Sequence, residues 1–257
     1  MALIKRFFIK KFKSKSHSIV VDKISLSYGN KQIFKDLSFK VNKGEILGVL
    51  GGNGVGKTSL FSAICGITKV DYGKIVIEGE NCTDTPIYER TIKYGLTLCP
   101  QYGGAFSELN VYDNLKCVAE LKIKELNNIN NIIGEMIANF QMERFSKIKF
   151  KNLSGGEKRR CILAMSLIGT PKVILLDEPF SGLDPYSIKM LQETIVNLQT
   201  LYGLTVIVTD HQAASILKIV DRSLILFNGN IVSQGTPNEI INDEKAQVYL
   251  PHDFKLM

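Results

Sequence analysis

The stretch Gly51-Gly52-Asn53-Gly54-Val55-Gly56-Lys57-Thr58 constrains this chain more than any other. It reads G-x-x-x-x-G-K-T between a short apolar run, Ile46 to Leu50, and a helical-looking segment, Thr58 to Cys65. A buried strand, a glycine-rich loop and a helix, in that order, is the context in which such a loop holds phosphate. Glycines let the backbone turn several N–H groups toward one point, and the positive end of the following helix adds to their pull. The spacing predicts a nucleoside triphosphate site of an α/β fold. Lys57 reaches the β- and γ-phosphates, the Thr58 hydroxyl takes a place on Mg²⁺, and Gly51 to Gly56 with Ser59 complete the cradle. Eight positions and both flanks agree, which leaves little room for a glycine turn that binds nothing.

Around this loop the pattern alternates between strands and helices. Ile19 to Tyr28 and Phe34 to Val41 read as half-buried strands joined at Gly29-Asn30, and Lys74 to Ile77 as another, with Asp71-Tyr72-Gly73 as its turn. Tyr28 is either an ordinary strand tyrosine or a face on which a base stacks. Leu96 to Cys99 is a short strand ending at Pro100, and Gln101 then stands where ligands of an open α/β sheet collect. Val111 to Leu126 and Ile132 to Phe140 read as helices of an insert that runs to Leu153.

Leu153-Ser154-Gly155-Gly156-Glu157 opens a helix from Glu157 to Ile168. Ser154 and Glu157 have capping-box spacing, and a glycine-flanked helix start is also an anion site, so both readings stand. Val173 to Leu176 is apolar on both faces, as in a central parallel strand, and it ends in Asp177 and Glu178. Successive strand residues face opposite ways, which gives Asp177 the Mg²⁺ shell and Glu178 the attacking water. After the tight loop Pro179 to Pro185, the spacing of Ile188, Leu191, Ile195, Leu198 and Tyr202 predicts an amphipathic helix. The buried strand Thr205 to Thr209 then delivers Asp210 and His211 to the same sheet edge. Ser223 to Phe227 and Asn230 to Ser233 form a hairpin around Asn228-Gly229, and a short helix follows near Asn238 to Asn242.

Charge and cysteine content narrow the partners. The net charge is +7, but Lys5, Arg6, Lys10, Lys11, Lys13 and Lys15 all fall in the first eighteen residues, leaving 26 basic against 25 acidic side chains elsewhere. A near-neutral body argues against a nucleic-acid partner. Residues 1–18 interleave those cations with Leu3, Ile4, Phe7, Phe8, Ile9 and Phe12, so this basic arm is either a surface for anionic lipid or a solvated tail. No apolar run approaches the roughly 20 residues of a membrane span, so the chain reads as soluble or peripheral. Five scattered cysteines without a C-x-x-C pair fit a reducing compartment and no disulfide framework.

Taken in one order, Tyr28, the Gly51 to Thr58 loop, Gln101, Leu153 to Gly156, Val173 to Glu178, Ser181 to Asp184 and His211 resemble the ATPase subunits of ABC transporters over residues 19–257. The resemblance implies a RecA-like P-loop NTPase core, an antiparallel β subdomain and a helical subdomain at about 102–168. It also implies a head-to-tail homodimer that sandwiches each ATP and its Mg²⁺ between one subunit's loop and the other's Ser154-Gly155-Gly156 helix start. By the same resemblance Tyr28 stacks on adenine and Gln101 senses Mg²⁺ and couples to two transmembrane subunits. Glu178 is the catalytic base, Asp184 signals across the dimer, and His211 holds the γ-phosphate. Such a protein works peripherally at the cytoplasmic face of the inner membrane.

Within the family, Val111 to Leu115, Asp177 to Phe180, Thr209 to His211, Gln234 to Pro237 and Val248 to Leu256 are similar to the ATPases of lipopolysaccharide export. Three features depart from the usual pattern: Gly52 stands in place of a proline, Ser107-Glu108 in place of basic residues, and the arm is additional. The alternatives are the ATPase of a branched-chain amino-acid importer and a non-transport clamp on a ribosome or DNA. A clamp commonly carries a second ATPase half or long DNA-binding insertions, and this chain has neither. Phe106, an aromatic in a polar loop, is expected either in the core of its own subunit or as an anchor for a membrane subunit, and the anchor is preferred.

Overall fold

A computed structural model describes residues 17–123 and 128–249. The arm through residue 16, Leu126 at the expected end of one helix, and the ending from Leu250 lie outside the described residues. A four-stranded antiparallel sheet is built from β1 (His17–Tyr28), β2 (Lys31–Asn42), β4 (Tyr72–Ile77) and β5 (Glu80–Asn81), in the order β2-β1-β4-β5. The second sheet contains β3 (Ile46–Leu50), β6 (Leu96–Cys99), β7 (Val173–Asp177), β8 (Thr205–Thr209), β9 (Arg222–Phe227) and β10 (Asn230–Gly235). Its order is β10-β9-β3-β8-β7-β6, parallel except at the β9–β10 hairpin.

The parallel sheet explains its own apolar runs. Ile46, Leu50, Ile174, Leu176, Val206 and Val208 face one hydrophobic core, while Leu47, Val49, Val173, Leu175 and Ile207 face the other. Strands buried on both faces have no solvated side to alternate with, so they read as continuous apolar sequence. The first core holds α5 (Gly155–Leu167), α6 (Pro185–Tyr202) and α7 (Ala213–Leu217), together with α3 (Val111–Lys122) and α4 (Ile129–Asn139). The second holds α1 (Lys57–Cys65) and the antiparallel sheet. Short helices α8 (Pro237–Asn242) and α9 (Glu244–Gln247) follow the hairpin. No helix among the described residues is long and apolar enough to cross a membrane.

Four local expectations change. Tyr72 and Gly73 belong to β4 rather than to a turn before it. The helix from Val111 ends at Lys122 instead of continuing to Leu126, and the one after it starts at Ile129, earlier than Ile132. Helix α5 starts at Gly155, two residues before Glu157, because the cap is Ser154 and the glycines already form its first turn. Helix α2 (Ile87–Tyr94) was not anticipated at all. Its periodicity is inverted: Ile87, Tyr88 and Ile92 are exposed, while Arg90 is buried. The Arg90 guanidinium donates to the carbonyls of Ala63, Ile64, Thr83 and Thr85 at 2.7–2.9 Å, capping the C-terminal end of α1. A cation at that end meets the unpaired carbonyls and the negative pole of the helix.

Candidate functional site

All the parallel strands deliver their carboxyl ends to one edge, where the loops after β3, β6, β7 and β8 converge. The loop after β3 needs glycine for steric reasons. Gly51 has φ +151°, and a Cβ there would lie 2.4 Å from the Leu226 carbonyl oxygen. At Gly56, with φ +102°, a Cβ would lie 2.8 Å from an Ile33 methyl. Lys57, 5% exposed, donates from Nζ to the carbonyls of Gly51 and Gly52, both at 2.8 Å. Burial lowers its pKa from 10.5, and the charges of Glu178, Asp177 and Asp210 pull the other way.

A cleft of about 630 Å³ opens beside this loop. Tyr28, Lys57, Thr58, Gln101, Glu178 and His211 line it, with Asn53, Gly54, Gly56 and Ser59. Size does not single it out, since a cleft of about 650 Å³ beside His17, Lys40 and Arg222 is as large. Chemistry does: only the first combines a glycine loop, a buried lysine and a carboxylate. Gly52 and Val55 face a neighbouring cleft shared with Phe227, Asn228 and Tyr249, so the loop has a groove on either side.

The two acids at the end of β7 are separated by a backbone turn, not by strand alternation. The strand ends at Asp177, and Glu178 takes φ +46°, a left-handed conformation that is unusual for a side-chain-bearing residue. Asp177 is buried and accepts from the Thr209 hydroxyl at 2.8 Å. Glu178 turns into the cleft, where its Oε2 accepts from Gln101 Nε2 at 2.5 Å and stands 3.6 Å from His211 Nδ1. Its own N–H donates to the Thr209 carbonyl at 2.8 Å, so the strained residue is pinned by its neighbour strand. Asp210 is also buried, and accepts from the Phe180 and Gln212 N–H groups at 2.8 and 3.0 Å. It shapes both loops around the acids.

The structure does not bring Ser154, Gly155, Gly156 or Asp184 into this cleft. Ser154 caps α5 in a complete capping box with Glu157. Asp184 caps α6, accepting from the Ser187 N–H at 3.0 Å and its hydroxyl at 2.6 Å, bonds that hold its carboxyl below the usual range. The two caps are neighbours: a Cβ on Gly156 would sit 2.5 Å from Ser187 Oγ, so any larger residue there would have to displace the Ser187 side chain at the start of α6. Sequence reasoning missed that contact, and it missed Lys31 and Ile33 in the cleft lining, where Ser181, named only as the start of a motif, also lies. It also missed Arg159, whose guanidinium donates to the carbonyls of Pro100 and Glu178. A basic residue inside a helix gives no sign of where its tip will reach. Among the described residues, no group of three or more His, Cys, Asp or Glu side chains is placed to hold a metal ion.

Known proteins resemble this chain in sequence and in fold. The model of the family described as ABC transporter matches residues 34–181, more than half of the chain. A lipopolysaccharide export system ATP-binding protein, LptB, of Haemophilus influenzae is 38% identical over 241 residues, 93% of this chain and 99% of that protein. LptB of Escherichia coli K12 is 36% identical over the same shares. Among solved structures, cbiO1 of Clostridium perfringens, part of the ABC transporter complex cbiONQ, superposes with a TM-score of 0.81 at 25% identity, covering 94% of this chain and 98% of that one. MJ1267, an ATP-binding cassette of an ABC transporter, in its ADP conformation, has the same fold at a TM-score of 0.81 and 23% identity, over 91% and 98% of the two chains. Because the family model covers more than half of the chain and relatives at 36–38% identity are matched over nearly the whole of both partners, this chain belongs to the ABC transporter family, as one of its ATPases.

Proposed function

We propose that the chain is the ATP-hydrolysing subunit of a transporter that exports lipopolysaccharide or a related lipid. It would act as a head-to-tail homodimer on two transmembrane subunits, peripherally at the cytoplasmic face of the inner membrane. The observation that carries the chemistry is the Glu178 carboxylate, held by Gln101 at 2.5 Å beside His211, at the mouth of a glycine loop whose lysine is buried. A carboxylate so placed can accept a proton from water as that water attacks the γ-phosphate. Lys57 would exchange its bonds to the loop carbonyls for phosphate oxygens, His211 would contact the γ-phosphate, and Tyr28, 49% exposed at the cleft, would stack on the base. Loop N–H groups from Gly51 to Ser59 would hold the phosphates.

The donor set suits Mg²⁺. One carboxylate, Asp177, and the neutral oxygens of Thr58 and Gln101 are hard ligands of the kind that bind this ion together with phosphates and water. Once bound, the ion would neutralise charge developing on the phosphates. Ser154, Gly155 and Gly156 lie away from their own subunit's cleft, which fits a role at the partner's nucleotide, with Asp184 beside them at the same interface. The export assignment rests on the extent of likeness to LptB. Glu108, which departs from the exporters' basic pattern, is met by Lys149 and Lys151 at 3.3 and 2.9 Å. Glu178→Gln tests the chemistry. ATP should still bind, and turnover should fall by the ~10²–10⁴-fold that general-base assistance supplies. Near-normal hydrolysis would remove Glu178 from the role.

A further inference from the structure

Arg159 lies on α5, five positions beyond the Ser154 cap, and is only 8% exposed. Its Nη1 donates to the Pro100 carbonyl at 2.9 Å and its Nη2 to the Glu178 carbonyl at 3.0 Å. Pro100 immediately follows β6 and Glu178 immediately follows β7, and these two strands are paired in parallel. One planar guanidinium therefore spans the main chain just before Gln101 and the main chain of Glu178, whose side chains meet at 2.5 Å on the cleft side. The next residue, Arg160, turns elsewhere, to the Phe140 and Gln141 carbonyls and the Phe145 ring. The grip on the cleft's two loops is specific to Arg159.

We infer that Arg159 is a positioning residue that reports occupancy of one nucleotide site to the Gln101–Glu178 pair of the other. This rests on the head-to-tail reading above, in which the Ser154 end of α5 meets the partner's nucleotide. From Ser154 to Arg159 the helix rises only about 7.5 Å, a rigid span. Gly156 packs that helix start directly on Ser187, so the Asp184 cap moves with it. A displacement of the helix start toward the partner's nucleotide is carried by Arg159 to the backbone of Glu178, and with it to the carboxylate. Each subunit's base is thereby set by the ligand its partner holds.

Heterodimers of the full chain, isolated with a different affinity tag on each subunit, test this. One subunit carries Glu178→Gln, so a single site turns over. Arg159→Met is placed either in cis, with the intact Glu178, or in trans, in the Glu178→Gln subunit. Loss of the grip on Glu178 should slow the cis dimer far more than the trans dimer, on the order of tenfold to a hundredfold for a small misplacement of a catalytic group. Cooperativity in ATP should fall with it. A merely structural role predicts the reverse: a loosened α5 spoils the Ser154 contact at the partner's site and slows the trans dimer. Equal slowing, or greater slowing in trans, overturns the inference. Should Arg159→Met not fold, Arg159→Lys keeps the charge but cannot bridge both carbonyls, and the same comparison applies. The underlying dimer is tested separately by mixing Lys57→Ala with Ser154→Arg subunits. Recovered activity there, without cis–trans asymmetry, refutes Arg159 alone; no recovery despite subunit exchange refutes the head-to-tail sandwich and the inference with it.

Discussion

Phe106→Ala separates a residue that stabilises its own subunit from one that serves a partner. The side chain is 60% exposed, which rules out the core reading of this residue. A phenylalanine carries about 200 Å² of surface, so roughly 80 Å² is hidden within the subunit. At about 25 cal/mol per Å² that is at most ~2 kcal/mol of stability, against the ~3–5 kcal/mol of a truncated core phenylalanine. The backbone is pinned independently of the ring. Buried Asn114 accepts from the Phe106 N–H at 2.7 Å and donates to its carbonyl at 3.0 Å, so alanine leaves the loop in place. The exposed remainder, about 120 Å², could contribute ~3 kcal/mol to an interface, roughly a hundredfold in Kd. Thermal melting of the isolated variant should shift by only a few degrees. Its basal ATP hydrolysis should persist, and its co-purification with the membrane subunits should collapse. A steep loss of melting temperature, or recovery of the complex at the level of the unaltered protein, would refute the reasoning.

Other perturbations address the frame and the cleft. Arg90→Met removes the guanidinium from the Ile64, Thr83 and Thr85 carbonyls, while Ala63 keeps the Gly66 N–H, and at ~1–3 kcal/mol for a buried unsatisfied group the urea midpoint should drop by the equivalent of ~3 kcal/mol or more. A midpoint close to that of the unaltered protein would mean that water replaces the guanidinium. Tyr28→Ala should weaken binding of a fluorescent ATP analogue by the ~1–3 kcal/mol typical of base stacking. It should weaken GTP binding similarly, because a ring face does not read base identity; a selective loss for ATP would point to another contact. Burial pushes the thiols of Cys65 and Cys161 up from 9.0 to about 12 and that of Cys99 to about 11. A raised folded pKa means the folded state holds these protons more tightly. That stability is intact below pH 9 and is lost as pH rises through about 11 to 12. Denaturant titrations at increasing pH check it, and alkylation at pH 8 should spare these thiols while labelling half-buried Cys117.

The parts of this protein most legible in sequence were those whose side chains and backbone answer to the same local rule. Doubly buried strands have apolar centres, as β3, β7 and β8 do. The Asn228-Gly229 hairpin has both residues at positive φ, as a two-residue turn requires. The capping box at Ser154 was visible in its spacing, and the structure completes it. Helix α2 is hidden because its exposed face carries Ile87, Tyr88 and Ile92 while Arg90 is buried beside Tyr94, with part of its carbonyl set on α1, more than twenty residues away. Tyr72 and Gly73 carry a turn signal because Gly73 does have a positive φ of 93°, but it takes it at a register shift within the pairing of β4 with β1. Gly73 lies so close to β1 that a Cβ would fall 2.3 Å from the Lys23 carbonyl oxygen. The separation of Asp177 from Glu178 was anticipated for the wrong cause, since no pattern marks a left-handed glutamate. Phe106 needed coordinates to choose between core and surface, because an isolated aromatic carries no period.

The inverted amphipathicity of α2 also bears on how this protein can be handled. Tyr88 and Ile92 sit one turn apart on its outward face, 62% and 84% exposed, while the charge on which the helix depends points inward. A campaign to improve solubility would replace those two residues with lysine or glutamate, and the isolated chain should accept the changes and aggregate less. A genetic selection for cell growth would judge the same substitutions by what the intact transporter can do. Agreement between the two would show that this face only meets solvent. Divergence would identify α2 as a surface kept apolar against the interest of the free subunit.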